Sequence, residues 1–153
     1  MRVIVSILVM LLLSACESKQ EDKTISFPTH FELSKGMETA TYLQVVDFYI
    51  QLAKEFPEIN IQTIGSTDSG YPLHVVTYND DGDFNFQKIG KDKTIMLINN
   101  GIHPGESDGI DATMLLYRDL AIGKLDSPTN TVLVTIPVYN IGGSLNRNKT
   151  TRA

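Results

Sequence analysis

Apolar residues recur along this chain in three patterns, and each predicts a different element. In "TATYLQVVDFYIQLAKEFPEI", Tyr42, Val45, Tyr49, Leu52 and Phe56 return at helical spacing. Thr41 and Gln44 have capping-box spacing at the start of that run, and Pro57 ends it. In "INIQTIG", apolar and polar positions alternate, and after Gly65 and "DSGYP" comes a second β-rich run, "LHVVTY". These two runs predict a hairpin or adjacent strands. "TIMLIN" and "TVLVTIPVYN" are near-continuous apolar runs of strand length. Between them, "GIDATMLLYRDLAIGK" carries Ile110, Met114, Tyr117 and Leu120 or Ala121 on one helical face.

Strand, helix, strand with uninterrupted apolar strands is the pattern of a parallel sheet covered on both faces. The fold class expected is therefore α/β, with a mixed, largely parallel sheet and helices on both faces. The stretch "NDDGDFNFQKIGKDK" reads as a polar loop. Asp80, Asp81 and Asp83 with Gly82 suggest calcium, but the spacing and closing Glu of an EF-hand loop are missing, so a solvated turn is expected. No internal repeat or low-complexity tract is present.

The first sixteen residues, "MRVIVSILVMLLLSAC", have one positive charge at Arg2, an apolar run from Val3 to Leu13 and then small residues, which is the layout of a secretory signal peptide. The run is shorter than the roughly 20 residues a bilayer-spanning helix requires. The ending "LSAC" resembles the lipobox of bacterial lipoproteins, which makes Cys16 the expected lipid-attachment site; the alternative is ordinary cleavage nearby and a free thiol. Cys16 is the only cysteine among 153 residues, so no intrachain disulfide staples the fold. The expected organisation is a signal peptide over 1–15, a tether over 16–38 and one domain over 39–153. A net charge of −5 without a Lys/Arg cluster argues against a nucleic-acid surface.

The candidate chemistry lies in "NNGIHPGESDG", between the first apolar strand and the helix. Ligand sites in open α/β sheets gather beyond the carboxyl ends of the strands, and His103 and Glu106 fall there. Pro104 biases His103 away from helical geometry, and Gly105 allows a sharp bend, so both side chains are able to reach one ion. A carboxylate at the start of the following helix is favoured by the helix dipole, and carboxylate plus neutral imidazole suits zinc. Taken alone, His-x-x-Glu is a short motif that chance also produces; it reads equally as a helix start in which Glu106 complements the dipole. His30, near Pro28, and His74, inside the second β-rich run, read as structural.

The wider context carries a resemblance. "NNGIHPGE" after an apolar strand, the upstream "TYLQVVDFYIQLAKEFPEINIQTIGSTDSGYPLHVVTY" and the downstream "VLVTIPVYNIGG" resemble a zinc carboxypeptidase of the M14 type over about residues 40 to 145. "IGSTDSGYPL" is similar to that family's Gly-Ser-x-x-Gly-x-Pro-Leu turn, and "PVYNIGG" stands where the family has Asn-Pro-Asp-Gly, with Ile141 and Gly142 departing from it. The resemblance implies that His103 and Glu106 are two of three Zn2+ ligands. It also implies removal of C-terminal residues from peptide substrates: zinc activates water and polarises the scissile carbonyl, and a further Glu moves the proton. An Asn-Arg pair and a further Arg would hold the terminal carboxylate and the oxyanion.

The remaining machinery is missing from the sequence. The resemblance places the third ligand and the proton-moving Glu in the second half of such domains, and no His follows residue 106 here, so both are expected beyond the chain's end. Asn146 and Arg147 in "LNRN" come too soon after His103 to be the family's substrate-binding pair and are assigned to a loop; Arg152 is left unassigned. The expectation is the first half of a longer lipid-anchored metallocarboxypeptidase of the bacterial cell envelope, incomplete at its C-terminus and inactive alone. A sheet edge left unpaired near 131–137 is expected to favour aggregation. Two alternatives stay open: a zinc-dependent deacylase or amidase of the same fold, and a non-catalytic surface lipoprotein that uses a peptidase-like domain to bind partners.

Overall fold

Four strands form one mixed sheet in the computed structural model, which describes residues 27–148. In chain order the elements are α1 (His30–Leu33), α2 (Tyr42–Glu55), β1 (Ile59–Ser66), β2 (Pro72–Tyr78), α3 (Phe86–Asp92), β3 (Thr94–Asn99), α4 (Asp108–Ala121), β4 (Thr131–Ile136) and α5 (Ile141–Leu145). The signal peptide, Cys16 and Arg152 lie outside the described residues. Among the described residues, no helix is long and apolar enough to cross a membrane.

The strand order is β1-β2-β4-β3. β1 pairs with β2, and β2 with β4, in antiparallel fashion, while β3 and β4 run parallel with Leu97 opposite Val134. The α/β class and the mixed sheet agree with the sequence reading, but of the three strand pairings among the described residues only β3–β4, the pair that flanks α4, is parallel, so the parallel share is smaller than expected. This parallel pair sets the carboxyl ends of β3 and β4 side by side, at the same end as the β1–β2 turn.

α2 forms because its apolar stripe buries Tyr42, Val45, Phe48, Tyr49 and Leu52. The Thr41–Gln44 capping box is made: each side chain accepts from the other residue's backbone N–H. α4 buries Ile110, Met114, Tyr117 and Leu120, and both helices cover Val76, Tyr78 and Leu133 on one face of the sheet. Fully burying such a side chain is worth about 1.5–3 kcal/mol, several times what helix propensity decides per residue. On the other face, Ile89 of α3 packs with Val132, Val134 and Val75. Helices therefore stand on both faces, as expected.

Several expectations need correction. α3 occupies the middle of the stretch read as loop; Asn85 starts it by accepting from the backbone N–H groups of Gln87 and Lys88. Its single buried residue, Ile89, is too little to make a periodic signal. The carboxylates of Asp80 and Asp81 converge on the Lys93 ammonium, which also donates to buried Asn79. Lys88 takes Asp83, so each carboxylate of the acidic turn is paired with an internal cation.

Residues 27–38, placed in the tether from sequence, are part of the packed structure. Thr29 and Glu32 make a capping box on α1, and Glu32 accepts from the fully buried Arg118 of α4 at 2.6 Å. Burial raises the Glu32 carboxyl, yet the bonds from Arg118 and Thr29 together bring it below its usual range. "TIMLIN", read as a buried strand, is exposed along most of β3. The open edge of the described sheet on this side is β3, not residues 131–137, because β4 is paired on both sides.

Candidate metal centre

β3 delivers the chain into the His103–Glu106 turn through a buried asparagine. Asn100 Nδ2 donates to Thr113 Oγ1 of α4 at 2.8 Å and to Thr135 Oγ1 of β4 at 3.3 Å. Both hydroxyls pass the network on, to Gly109 O and Ile98 O. A buried amide left without such partners would cost about 1–3 kcal/mol, so the network holds the start of the turn against both neighbouring elements. Gly109 leaves room for it, since a Cβ there would stand 2.8 Å from Asn100 Oδ1.

The turn is also tied to the segment after β4. Tyr139 N donates to Asn100 O at 2.8 Å, and Asn140 N donates to Gly101 O at 3.0 Å. Gly101 adopts φ 65°, a region an L side chain resists, and an added Cβ would press on Val138 and Ile110 at 3.3 Å. Asn140 then caps α5 by accepting from Gly143 N at 2.9 Å. Pro104 is buried against α5: a Cβ on Gly143 would lie 2.8 Å from Pro104 Cγ. "NIGG" thus supplies a cap and a seat for the His103-Pro104 bend.

Glu106 N donates to His103 O at 2.8 Å, which closes the chain across Pro104 and Gly105 and brings the two candidate ligands to the ends of one turn. His103 is half-buried and Glu106 exposed. α4 begins at Asp108, after Ser107 at the N-cap, so Glu106 precedes the helix, and the acidic residues of its first turn are Asp108 and Asp111. The sequence reading had put Glu106 inside that turn. The pair offers one imidazole nitrogen and carboxylate oxygens, donors zinc accepts. Among the described residues, no three His, Cys, Asp or Glu side chains gather around one point.

The other histidines are engaged in packing. His30 bonds Glu38 and Gln44 at 3.1 Å each. His74 faces Thr63 across the β1–β2 pair and lies over the Tyr42 ring, and burial lowers its pKa. Asn146 caps the end of α5, and Arg147 follows outside any helix or strand, as expected of a loop. Arg147 still has a structural task, since its guanidinium donates twice to Ala40 O at 3.3 Å and once to Ser144 Oγ. Burial lowers the Arg147 pKa, with the charge of Asp111 opposing. Sequence reasoning missed Asn100, Gly101 and Gly143; the pair "NNG" ahead of the turn was the one available signal.

No protein-family model and no curated protein matches the chain. Solved structures do match. Carboxypeptidase A from Helicoverpa armigera superposes with a TM-score of 0.61 at 23% identity, over 70% of this chain and 26% of that one. Bovine thrombin-activatable fibrinolysis inhibitor, solved in complex with tick carboxypeptidase inhibitor, gives 0.58 at 20% identity, over 75% and 36%. A metallo-carboxypeptidase from Burkholderia cenocepacia gives 0.55 at 19% identity, over 71% and 29%. The fold is therefore that of the M14 metallocarboxypeptidases. This chain spans between about a quarter and a third of the length of those proteins.

Proposed function

We propose that this chain is part of a zinc-dependent metallocarboxypeptidase that removes C-terminal residues from peptides, and that it supplies two metal ligands, His103 and Glu106. The observation that carries the reading is the position of the two residues. They close one hydrogen-bonded turn beyond the carboxyl end of β3, in a fold shared with metallocarboxypeptidases. With the ion bound, zinc would supply a polarised carbonyl and an activated water. What these residues themselves do is hold the donors in place: Asn100 anchors the strand end, and Pro104 seats the bend on Gly143.

In this reading the third ligand and the proton-transferring Glu come from outside the described residues, and the chain alone holds zinc weakly and has no peptidase activity. Isothermal titration with zinc is expected to show one weak site per chain, lost in His103→Ala and weakened in Glu106→Gln. Binding unchanged in His103→Ala would remove the assignment. Zinc retained through dialysis together with release of a C-terminal residue would show that the site is complete without further ligands.

Export and lipid anchoring through Cys16 belong to the same proposal, supported by the apolar run ahead of "LSAC". Cells expressing the chain and fed labelled palmitate are expected to label it, and Cys16→Ser to abolish the label. Equal labelling of both, or of neither, would exclude the anchor.

A further inference from the structure

Beside the His103–Glu106 turn lies a cavity of about 350 Å³ between the β1–β2 turn and the segment after β4. β2 runs antiparallel to β4, so the β1–β2 turn sits at the carboxyl end of β4, the end from which the candidate ligands also project. Ile102 lines the cavity and is covalently next to His103. The opposite wall is tied to the turn through the Asn140 N–Gly101 O bond, so the cavity and the turn are parts of one framework.

Ligand pockets run from about 300 to 1,000 Å³, so this one is large enough for a single amino-acid side chain and too small for much more. Its lining is mixed. Leu73, Ile102 and Ile141 supply apolar surface, the half-exposed Tyr139 ring forms a wall, and Asp68 is the one charged group. Asp68 has no ion pair or hydrogen bond to any described residue. Aliphatic surface, an aromatic residue and a carboxylate without a partner among the described residues suit a side chain with an apolar stem and a cationic head.

We propose that this cavity is a substrate subsite that receives the side chain of a basic residue, with Asp68 as the specificity-determining group. Calling the occupant a substrate residue rests on the metallocarboxypeptidase reading above; the preference for a cation rests on the cavity alone. An acidic side chain would face Asp68 and is disfavoured there. An uncharged aliphatic one fills the apolar part and leaves Asp68 to water.

The test uses the whole chain without zinc. Nα-acetyl-lysine methylamide, its norleucine counterpart and its glutamate counterpart are titrated while the backbone amide resonances are followed. The lysine probe is expected to bind about fivefold more tightly than norleucine, the range of an exposed ion pair, and to shift Thr67, Asp68, Tyr139 and Gly142. Asp68→Asn is expected to erase that difference while norleucine binding stays the same, because Asp68 is exposed and holds nothing in place. Equal affinity for lysine and norleucine, shifts that map elsewhere, or an unchanged preference in Asp68→Asn would each overturn the proposal. Zinc titration of His103→Ala reports separately on the metal. A lysine preference without zinc binding would keep the cavity and remove the peptidase reading, and zinc binding without the preference would do the reverse.

Discussion

The two strands of the parallel pair have almost interchangeable sequences and opposite surroundings. β3 reads "TIMLIN" and β4 reads "TVLVTI", paired residue by residue from Thr94 opposite Thr131 to Asn99 opposite Ile136. In β4, Val132 and Leu133 are 0% and 7% exposed; their partners Ile95 and Met96 are 42% and 51% exposed. β4 has a strand on each side, α4 and α2 over one face and α3 over the other, whereas β3 has β4 on one side and little above or below it. An apolar run therefore states what environment a strand requires. Whether the described residues provide that environment is a separate fact, which only the packing shows.

The largest effect expected from this contrast is on stability. Leu133→Ala removes part of a buried side chain in the main core and should cost about 2–5 kcal/mol. Met96→Ala, its partner on the same face, should change stability by no more than about 0.5 kcal/mol, because the side chain is already half in water. Urea unfolding of the two variants beside the parent measures both. Similar losses for the two would mean that β3 is covered in solution, and the contrast would fail.

The same contrast marks what was legible in the sequence. α2 and α4 were readable because their buried faces repeat five and four apolar residues, and the capping box at Thr41 is a local signal. α3 was not, since one buried Ile89 gives no period and its Asn85 cap sits among other turn formers. His103 and Glu106 stood out because Pro104 and Gly105 separate them in a strand-to-helix turn. Their support did not, because it is made between residues distant in the chain: Asn100 with Thr113 and Thr135, and Pro104 with Gly143. The exposed face of β3 was the least legible, since "TIMLIN" describes a strand that is buried in most proteins.

A smaller effect on stability, but a clear one on association, is expected at the β3 edge. An exposed apolar edge strand with unpaired backbone groups is a template for another chain, and Lys on an edge is a common way to block it. Leu97, 61% exposed on β3, has a natural control in Leu43, 60% exposed on α2, where the backbone groups are already satisfied within the helix. In sedimentation velocity, the parent chain is expected to associate as concentration rises, Leu97→Lys to shift toward monomer, and Leu43→Lys to behave as the parent. Both substitutions should alter unfolding free energy by no more than about 0.5 kcal/mol, so any difference in sedimentation reports the edge and not loss of fold. A parent chain that stays monomeric at every concentration, or a Leu43→Lys variant as effective as Leu97→Lys, would show that exposed apolar area at large, and not the open strand, governs how these molecules meet.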